Sequence, residues 1–287
     1  MRTQLNYDLR SENGCTLLLP PHPEAVLASL EEPDVYAASA QKYPIGTLAW
    51  YGGVGKKFRY SKAAEDITEA TAARMVANGN HAAGVVAPGI AAGRDGYNGL
   101  AYAQAEIGQS YIDIVLTERA VNFFQGSHLQ ILPAANPISQ YYIVASDVSE
   151  AAYTRVYLDH PLKQTITVAM YIGISASPYT KIINGNSAKA TQRYTSFVGL
   201  PLVNASDGEY FWIQTAGPAW IQPSGWGDAR LPGRGVSYRD VYAAIDGSIM
   251  STFTRGAVTD GFQRVGYLLD ATYLNYGSVF IMLQLEG

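Results

Sequence analysis

The chain has 287 residues, 48% of them hydrophobic and only 15% charged, with a net charge of −4. That length suits one large all-β domain or two ordinary ones, and that apolar content fills a sizeable core. With no basic run beyond Lys56-Lys57, the composition argues against a nucleic-acid binder, which needs a basic stripe against phosphates.

Tyr outnumbers Phe 21 to 8, so much of the aromatic surface carries a hydroxyl, which suits half-buried faces and protein contacts. Cys15 is the single cysteine, so no intramolecular disulfide forms, and a reducing cytosol is the expected place of folding. Met1 to Arg10 is polar and charged, unlike a signal peptide. The run Thr16-Leu17-Leu18-Leu19 is too short to cross a membrane. The expectation is a chain made in the cytoplasm, with neither membrane nor nucleic acid as partner.

Residues 1–42 read as an N-terminal arm. Pro20, Pro21 and Pro23 precede a short stretch, Glu24 to Glu32, with Val26, Leu27 and Leu30 at helical spacing, and Pro33 ends it. So short a helix holds only when docked, on its own domain or on a neighbour. Tyr43 to Ser61 reads as a hairpin with a turn at Gly52-Gly53-Val54-Gly55. A phosphate loop is excluded here. Counting back from Gly55-Lys56, Trp50 stands where the first glycine is required, and Lys57 stands where Ser or Thr is required.

Ala63 to Asn78 admits a helix with Ile67, Ala70, Met75 and Val76 on one face, and His81 to Gly108 reads as irregular loop with short strands. Strands then come thickly. Tyr111 to Leu116 places Ile112, Ile114 and Leu116 on one face. Leu129 to Leu132 and Tyr141 to Ala145 are short apolar runs. Thr165 to Ile172 predicts a strand with Ile166, Val168, Met170 and Ile172 inward. In Asp207 to Gln222, Tyr210, Trp212 and Gln214 share one face and Phe211, Ile213 and Thr215 the other, so the strand is covered on both sides, until Gly217-Pro218 breaks it. Pro223 to Arg239 is a loop dense in Gly, Pro and Arg. Ser278 to Leu285, apolar on both faces, predicts a central strand.

The fold class is therefore mainly β: sandwich or barrel-like packing of many short strands, with an N-terminal arm and at most one or two short helices. The expected organisation is an arm over 1–42, a first β region over 43–145 and a second over 146–287, with a seam near Pro137 to Glu150; a single domain over 43–287 is the alternative.

Little in the chain is arranged for chemistry. His22, His81, His128 and His160 lie at no metal-ligand spacing and lack a cysteine partner. No Gly-x-Ser-x-Gly elbow is present. Asp228, Asp240, Asp246 and Asp260 offer carboxylates for glycoside hydrolysis, but Asp246-Gly247 and Asp260-Gly261 are turn pairs, where Asp serves the backbone. Arg230, Arg234 and Arg239 suit an anion or an acidic partner surface, against the default of a solvated loop. The expectation is a non-enzyme with no cofactor and no metal.

Several stretches together resemble the head decoration, cement or minor capsid proteins that tailed bacteriophages encode beside the major capsid protein. They are Tyr43-Pro44-Ile45-Gly46-Thr47 with Lys57-Phe58-Arg59-Tyr60; Asp159-His160-Pro161-Leu162; Val198-Gly199-Leu200-Pro201 leading to Tyr210 through Ala219; and Gly266-Tyr267-Leu268 through Val279-Phe280-Ile281-Met282-Leu283. The ordered set spans 43–285 and leaves out the arm and the 223–239 loop. The resemblance implies a virion protein on the capsid surface that stabilises an icosahedral shell. Its implied partners are the major capsid protein and copies of itself, a trimer first. A tail or fibre module binding host glycans is the alternative. No functional residue carries over. On that reading Trp50, Trp220 and Trp226 are the expected aromatic anchors, and Arg230 and Arg234 the expected charged contacts.

Overall fold

The computed structural model describes residues 8–12, 15–19, 37–51, 53–67, 76–78, 97–117, 120–132, 139–147, 152–184, 196–221, 239–243, 249–251, 263–270 and 279–286. Within them every regular element is a strand, as the alternating patterns predict. In chain order the first six are β1 (Asp8–Glu12), β2 (Cys15–Leu19), β3 (Ala37–Ala38), β4 (Leu48–Tyr51), β5 (Lys56–Lys62) and β6 (Val76–Asn78). The next six are β7 (Tyr97–Leu100), β8 (Tyr111–Ile114), β9 (His128–Leu132), β10 (Ser139–Ser146), β11 (Thr154–Leu158) and β12 (Tyr171–Ser175). The last are β13 (Ile182–Asn184), β14 (Ser196–Pro201), β15 (Tyr210–Ile221), β16 (Asp240–Ala243), β17 (Ile249–Ser251), β18 (Arg264–Asp270) and β19 (Val279–Gln284).

These strands form two sheets, and each named pair is antiparallel. The larger runs β1-β2-β4-β5-β15-β19-β18-β16-β17, with β3, β14, β6 and β13 attached alongside. The smaller, β7-β12-β9-β10-β11-β8, curls into a barrel. Its seam is stitched by a bridge between Ala101 and Ile114 and by the Tyr102 N–H on Asp113 O at 2.8 Å. Alternation fills the barrel. Ile112 and Ile114, Leu129 and Ile131, Tyr141 and Ile143, Val156 and Leu158, and Ile172 and Ile174 all point inward and are buried. Outside, Arg155 and its cross-strand partner Asp113 form a bidentate pair at 2.8 and 3.0 Å, with the guanidinium 4.1 Å above the Tyr111 ring.

The barrel is an insertion. The chain leaves the larger sheet after β6 and returns in β13, which pairs with β6 directly, Ile182 opposite Asn78. Strand membership thus groups 97–175 apart from the segments on either side. Of the region where a seam is expected, the described residues 139–147 hold β10, and the 145/146 boundary lies within that strand.

The long strand β15 is the spine of the larger sheet. One edge carries β5 along Tyr210 to Ala216; the other carries β3, then β14, then β19 in succession. Its faces separate as the alternation predicts. Trp212 packs with Tyr43, Phe58 and Tyr60, while Phe211 and Ile213 pack with Ala63, Ile67 and Ile182.

Three expectations are corrected, and the described part of the arm gains a docked hairpin. Gly217-Pro218 does not end the strand, which runs through to Ile221. Among the described residues the ladder with β5 stops at Ala216, so a residue without an N–H is tolerated on that edge. Gly217 has a φ of 96°, and a Cβ on it would lie 2.6 Å from Gly55 O, in the turn that closes the β4–β5 hairpin. The helical reading of 63–78 fails at its described ends: Ala63 and Ile67 bridge to Ile182 and Ala205, and Val76–Asn78 is β6. Residues 68–75 lie outside the described set. The strand expected from Thr165 begins only at Tyr171, because a turn at Thr167–Met170 intervenes and leaves Val168 53% exposed. Part of the expected arm is strand: β1 and β2 form a hairpin that pairs through β2 with β4. The Glu24 to Glu32 stretch lies outside the described residues.

Two predictions follow from the packing. Gly217→Ala forces a side chain into a left-handed backbone position against backbone atoms. The expected loss of stability is about 1–3 kcal/mol, read from the urea midpoint. In the barrel core, the Tyr97 hydroxyl donates to Leu100 O at 2.8 Å. Burial pushes it from the ordinary value of 10.0 up to about 12, against the opposing pull of backbone hydrogen bonds at Val115 and Leu100. The folded state therefore holds this proton more tightly than the unfolded chain. Its contribution is fully present below pH ~10 and is lost as pH rises towards ~12. Urea midpoints of the wild type should fall more steeply across that window than those of Tyr97→Phe.

Candidate contact surface

The half of β15 beyond Ala216 packs one face onto a buried cluster, through Ala219 and Ile221 against Ile281, Leu283 and Val241. Alternation then turns Pro218 and Trp220 to the other face. Trp220 is 52% exposed and lies opposite Phe280, ring centroids 4.8 Å apart. The registers extend this face sideways: Pro218 is opposite Met282, Met282 opposite Tyr267, and Tyr267 opposite Asp240. Phe280, Met282 and Tyr267 are each half-buried. Polar groups edge the patch, with Arg264 Nε 2.9 Å from Asp240 Oδ1 and Arg264 Nη1 donating to Gln284 Oε1 at 3.1 Å. An open aromatic centre with a polar margin has the anatomy of a protein contact.

Trp50 belongs to the same face. Thr16, Trp50, Lys57, Ala216 and Gln284 stand in one cross-strand row through β2, β4, β5, β15 and β19. Trp50 is half-buried there. The structure thus places Trp50 and Trp220 on one side of one sheet, whereas Trp226, Arg230 and Arg234 lie outside the described residues. Phe280, Met282 and Tyr267 are not among the contact residues expected from the sequence. The apolar content of both faces of Ser278 to Leu285 predicts burial on both; the structure buries one and leaves the other half open.

At its other end this face is tied down. Glu286 accepts the single Arg59 Nε–H shared between its two oxygens, at 2.8 and 3.0 Å, one hydrogen bond from the Tyr179 hydroxyl and one from Thr215 Oγ1 at 3.3 Å. Arg59 Nη1 also reaches Gly46 O at 2.8 Å. Burial first, and then the Glu286 charge, hold the Tyr179 hydroxyl far above the usual tyrosine range, so it stays a donor. Tyr179 lies on the segment between β12 and β13, and Arg59 is in β5, so the cluster clasps the segment leaving the barrel to the larger sheet.

His160 Nδ1 lies 2.8 Å from Asp159 Oδ1, which also accepts the Tyr142 N–H, and the His160 ring stacks on Tyr141 at 4.7 Å. His128 packs its ring on Tyr142. Asp240 is the partner of Arg264; Asp228, Asp246, Asp260, His22 and His81 lie outside the described residues. Among the described residues no group of three or more His, Cys, Asp or Glu side chains could hold a metal ion, and no helix is long and apolar enough to cross a membrane. Neither a protein-family model, nor a curated protein, nor a solved structure matches the chain.

The clasp is testable by a double-mutant cycle. Glu286→Gln and Tyr179→Phe should each destabilise the protein, and the pair should lose less than the sum. A coupling of about 1 kcal/mol in urea unfolding is expected; additive effects would show that the two side chains act independently.

Proposed function

We propose that this chain is a non-enzymatic virion structural protein that decorates and stabilises the icosahedral capsid of a tailed bacteriophage. Its partners are the major capsid protein and copies of itself, first as a trimer, on the capsid surface. The observation that carries the reading is the half-open face around Trp220 and Phe280, set on a β scaffold with a filled core. The resemblance over 43–285 supplies the biological setting. Rigid strands cost little ordering on docking, and exposed aromatics supply anchors. A contact of about 1,000 Å² gives roughly 25 kcal/mol of gross stabilisation if wholly apolar. Lost rigid-body freedom and polar desolvation remove most of that. Repetition over a shell multiplies what remains.

A glycan-binding tail or fibre module is the second reading. Trp220 favours it, since an exposed indole beside another ring is also a platform for the apolar face of a sugar.

The test is co-sedimentation with shells assembled from the major capsid protein of the same virus. Wild-type protein should pellet with shells. Trp220→Ala with Phe280→Ala should reduce apparent affinity about tenfold or more, with the fold intact by circular dichroism. Failure of the wild type to bind any shell, together with saturable retention on immobilised glycans, would replace the first reading by the second.

A further inference from the structure

The outer wall of the barrel carries a second exposed apolar surface, separate from the Trp220 patch. Leu132 of β9 lies opposite Tyr171 of β12, and Tyr171 lies opposite Leu100 of β7. The bridge of Ala101 with Ile114 sets Leu100 beside Val115, whose N–H donates to Leu100 O at 3.4 Å. The pairing of Ile114 with Thr154 in turn sets Val115 beside Tyr153. Tyr153 stacks on Tyr102, ring centroids 4.9 Å apart. One row thus crosses β9, β12, β7, β8 and the start of β11. Leu132, Tyr171, Leu100, Val115 and Tyr102 are each between 37% and 53% exposed, while Ile131, Ile172, Ala101 and Ile114 beside them turn inward and are buried.

The charge of this wall decides what it suits. Among the described residues, the outward positions of β8, β9, β11 and β12 hold one carboxylate and one guanidinium, Asp113 and Arg155. These close on each other at 2.8 and 3.0 Å, so the wall has no net charge from them. The tyrosine hydroxyls of the row, and the exposed Gln130 amide on β9, can each both donate and accept a hydrogen bond. A surface of that kind is complementary to itself. The chain carries −4 overall, so two copies repel unless they meet on a face without net charge. A strongly charged partner would gain nothing from the same face.

The row exposes on the order of 400 Å², within the range of large surface patches. A stable dimer buries ~800 Å² per partner. The row therefore supplies the centre of a contact and its uncharged margin the remainder, which makes the contact reversible and dependent on concentration.

We propose that this wall is a self-association surface, on which the barrel of a second copy of the chain packs, with Tyr171, Leu100 and Val115 at the centre. That the occupant is another copy rests on the self-complementarity of the wall. That the contact serves a virion rests on the structural-protein reading.

The test is sedimentation velocity of the full chain from low to high micromolar concentration. The wild type should pass reversibly from monomer to oligomer. High salt should leave the association intact or strengthen it, because no charge pair between copies carries it. Tyr171→Ser with Leu100→Ser should raise the dissociation constant about tenfold or more. Val115→Asp sets like charges face to face and should abolish association. Trp220→Ala with Phe280→Ala should leave it unchanged. Urea midpoints equal to the wild type at low concentration would show that these variants fold normally. A wild type that stays monomeric throughout would overturn the proposal, as would association indifferent to the wall substitutions or lost instead with Trp220→Ala and Phe280→Ala. So would a monomer that needs Tyr171 to bind phosphatidylcholine vesicles, which would give the wall a lipid occupant. Co-sedimentation separates this proposal from the capsid reading. A wild type that self-associates through the wall but pellets with no shell would leave this proposal standing and remove the capsid reading. Shell binding by a chain that is monomeric in solution would do the reverse.

Discussion

The larger sheet depends on one constraint: β15 must be covered on both faces while its neighbours change along its length. Trp212 on one side and Phe211 and Ile213 on the other are all buried, in separate clusters, so a slip of one residue would exchange both sets at once. The register is thereby doubly specified. A bulge between Gln214 and Ala216 shifts the pairing with β5, and Gln214 Nε2 bonds Ala216 O and Pro218 O at 3.1 and 3.0 Å, satisfying carbonyls at the irregularity. Beyond it the strand is free of β5, and one of its faces becomes surface. The exposure of Trp220 is thus a consequence of how the spine hands over from one neighbour to the next.

Local alternation was readable wherever a strand keeps the same surroundings along its length. Ile112, Ile114 and Leu116 are buried as their spacing predicts, and the Tyr43 to Ser61 hairpin forms with its glycine turn. What could not be read depends on distant partners. Gly217-Pro218 has the local chemistry of a strand break, and only the absence of β5 at that point makes it tolerable. Thr165 to Ile172 alternates, but most of that alternation is spent on a turn. Barrel-like packing was legible in the many short strands, but which strands form it was not, because the closing contact of Ala101 with Ile114 and the stem pairing of Asn78 with Ile182 join residues whose own neighbourhoods say nothing of each other.

The same limit applies to the surface. A tryptophan announces a large aromatic group but not its exposure. Trp50, Trp212 and Trp220 all sit in strands, and the structure makes them half-buried, buried and open respectively. Phe280 and Met282 lie in a run apolar on both faces, which predicts a core strand; the missing information was that only one side has a covering layer. Tyrosine and carboxylate groups that a search for catalysis would seize on are engaged in tying segments together: Asp159 accepts the Tyr142 N–H on the barrel, and Tyr179 donates to Glu286 beside the larger sheet.

The barrel hangs from two strands that are themselves hydrogen-bonded neighbours, Asn78 facing Ile182. The stem of this side branch is therefore closed by the parent sheet whether or not the branch is large. Growth, shrinkage or exchange of the branch would leave the pairing of β15 with β5 and β19 undisturbed. The bridge between Ala101 and Ile114 brings the two end strands of the barrel together at one point, which shortens the edge onto which a neighbouring copy could zip. A chain of this design can diversify one lobe for a changing environment while the other keeps a constant footprint.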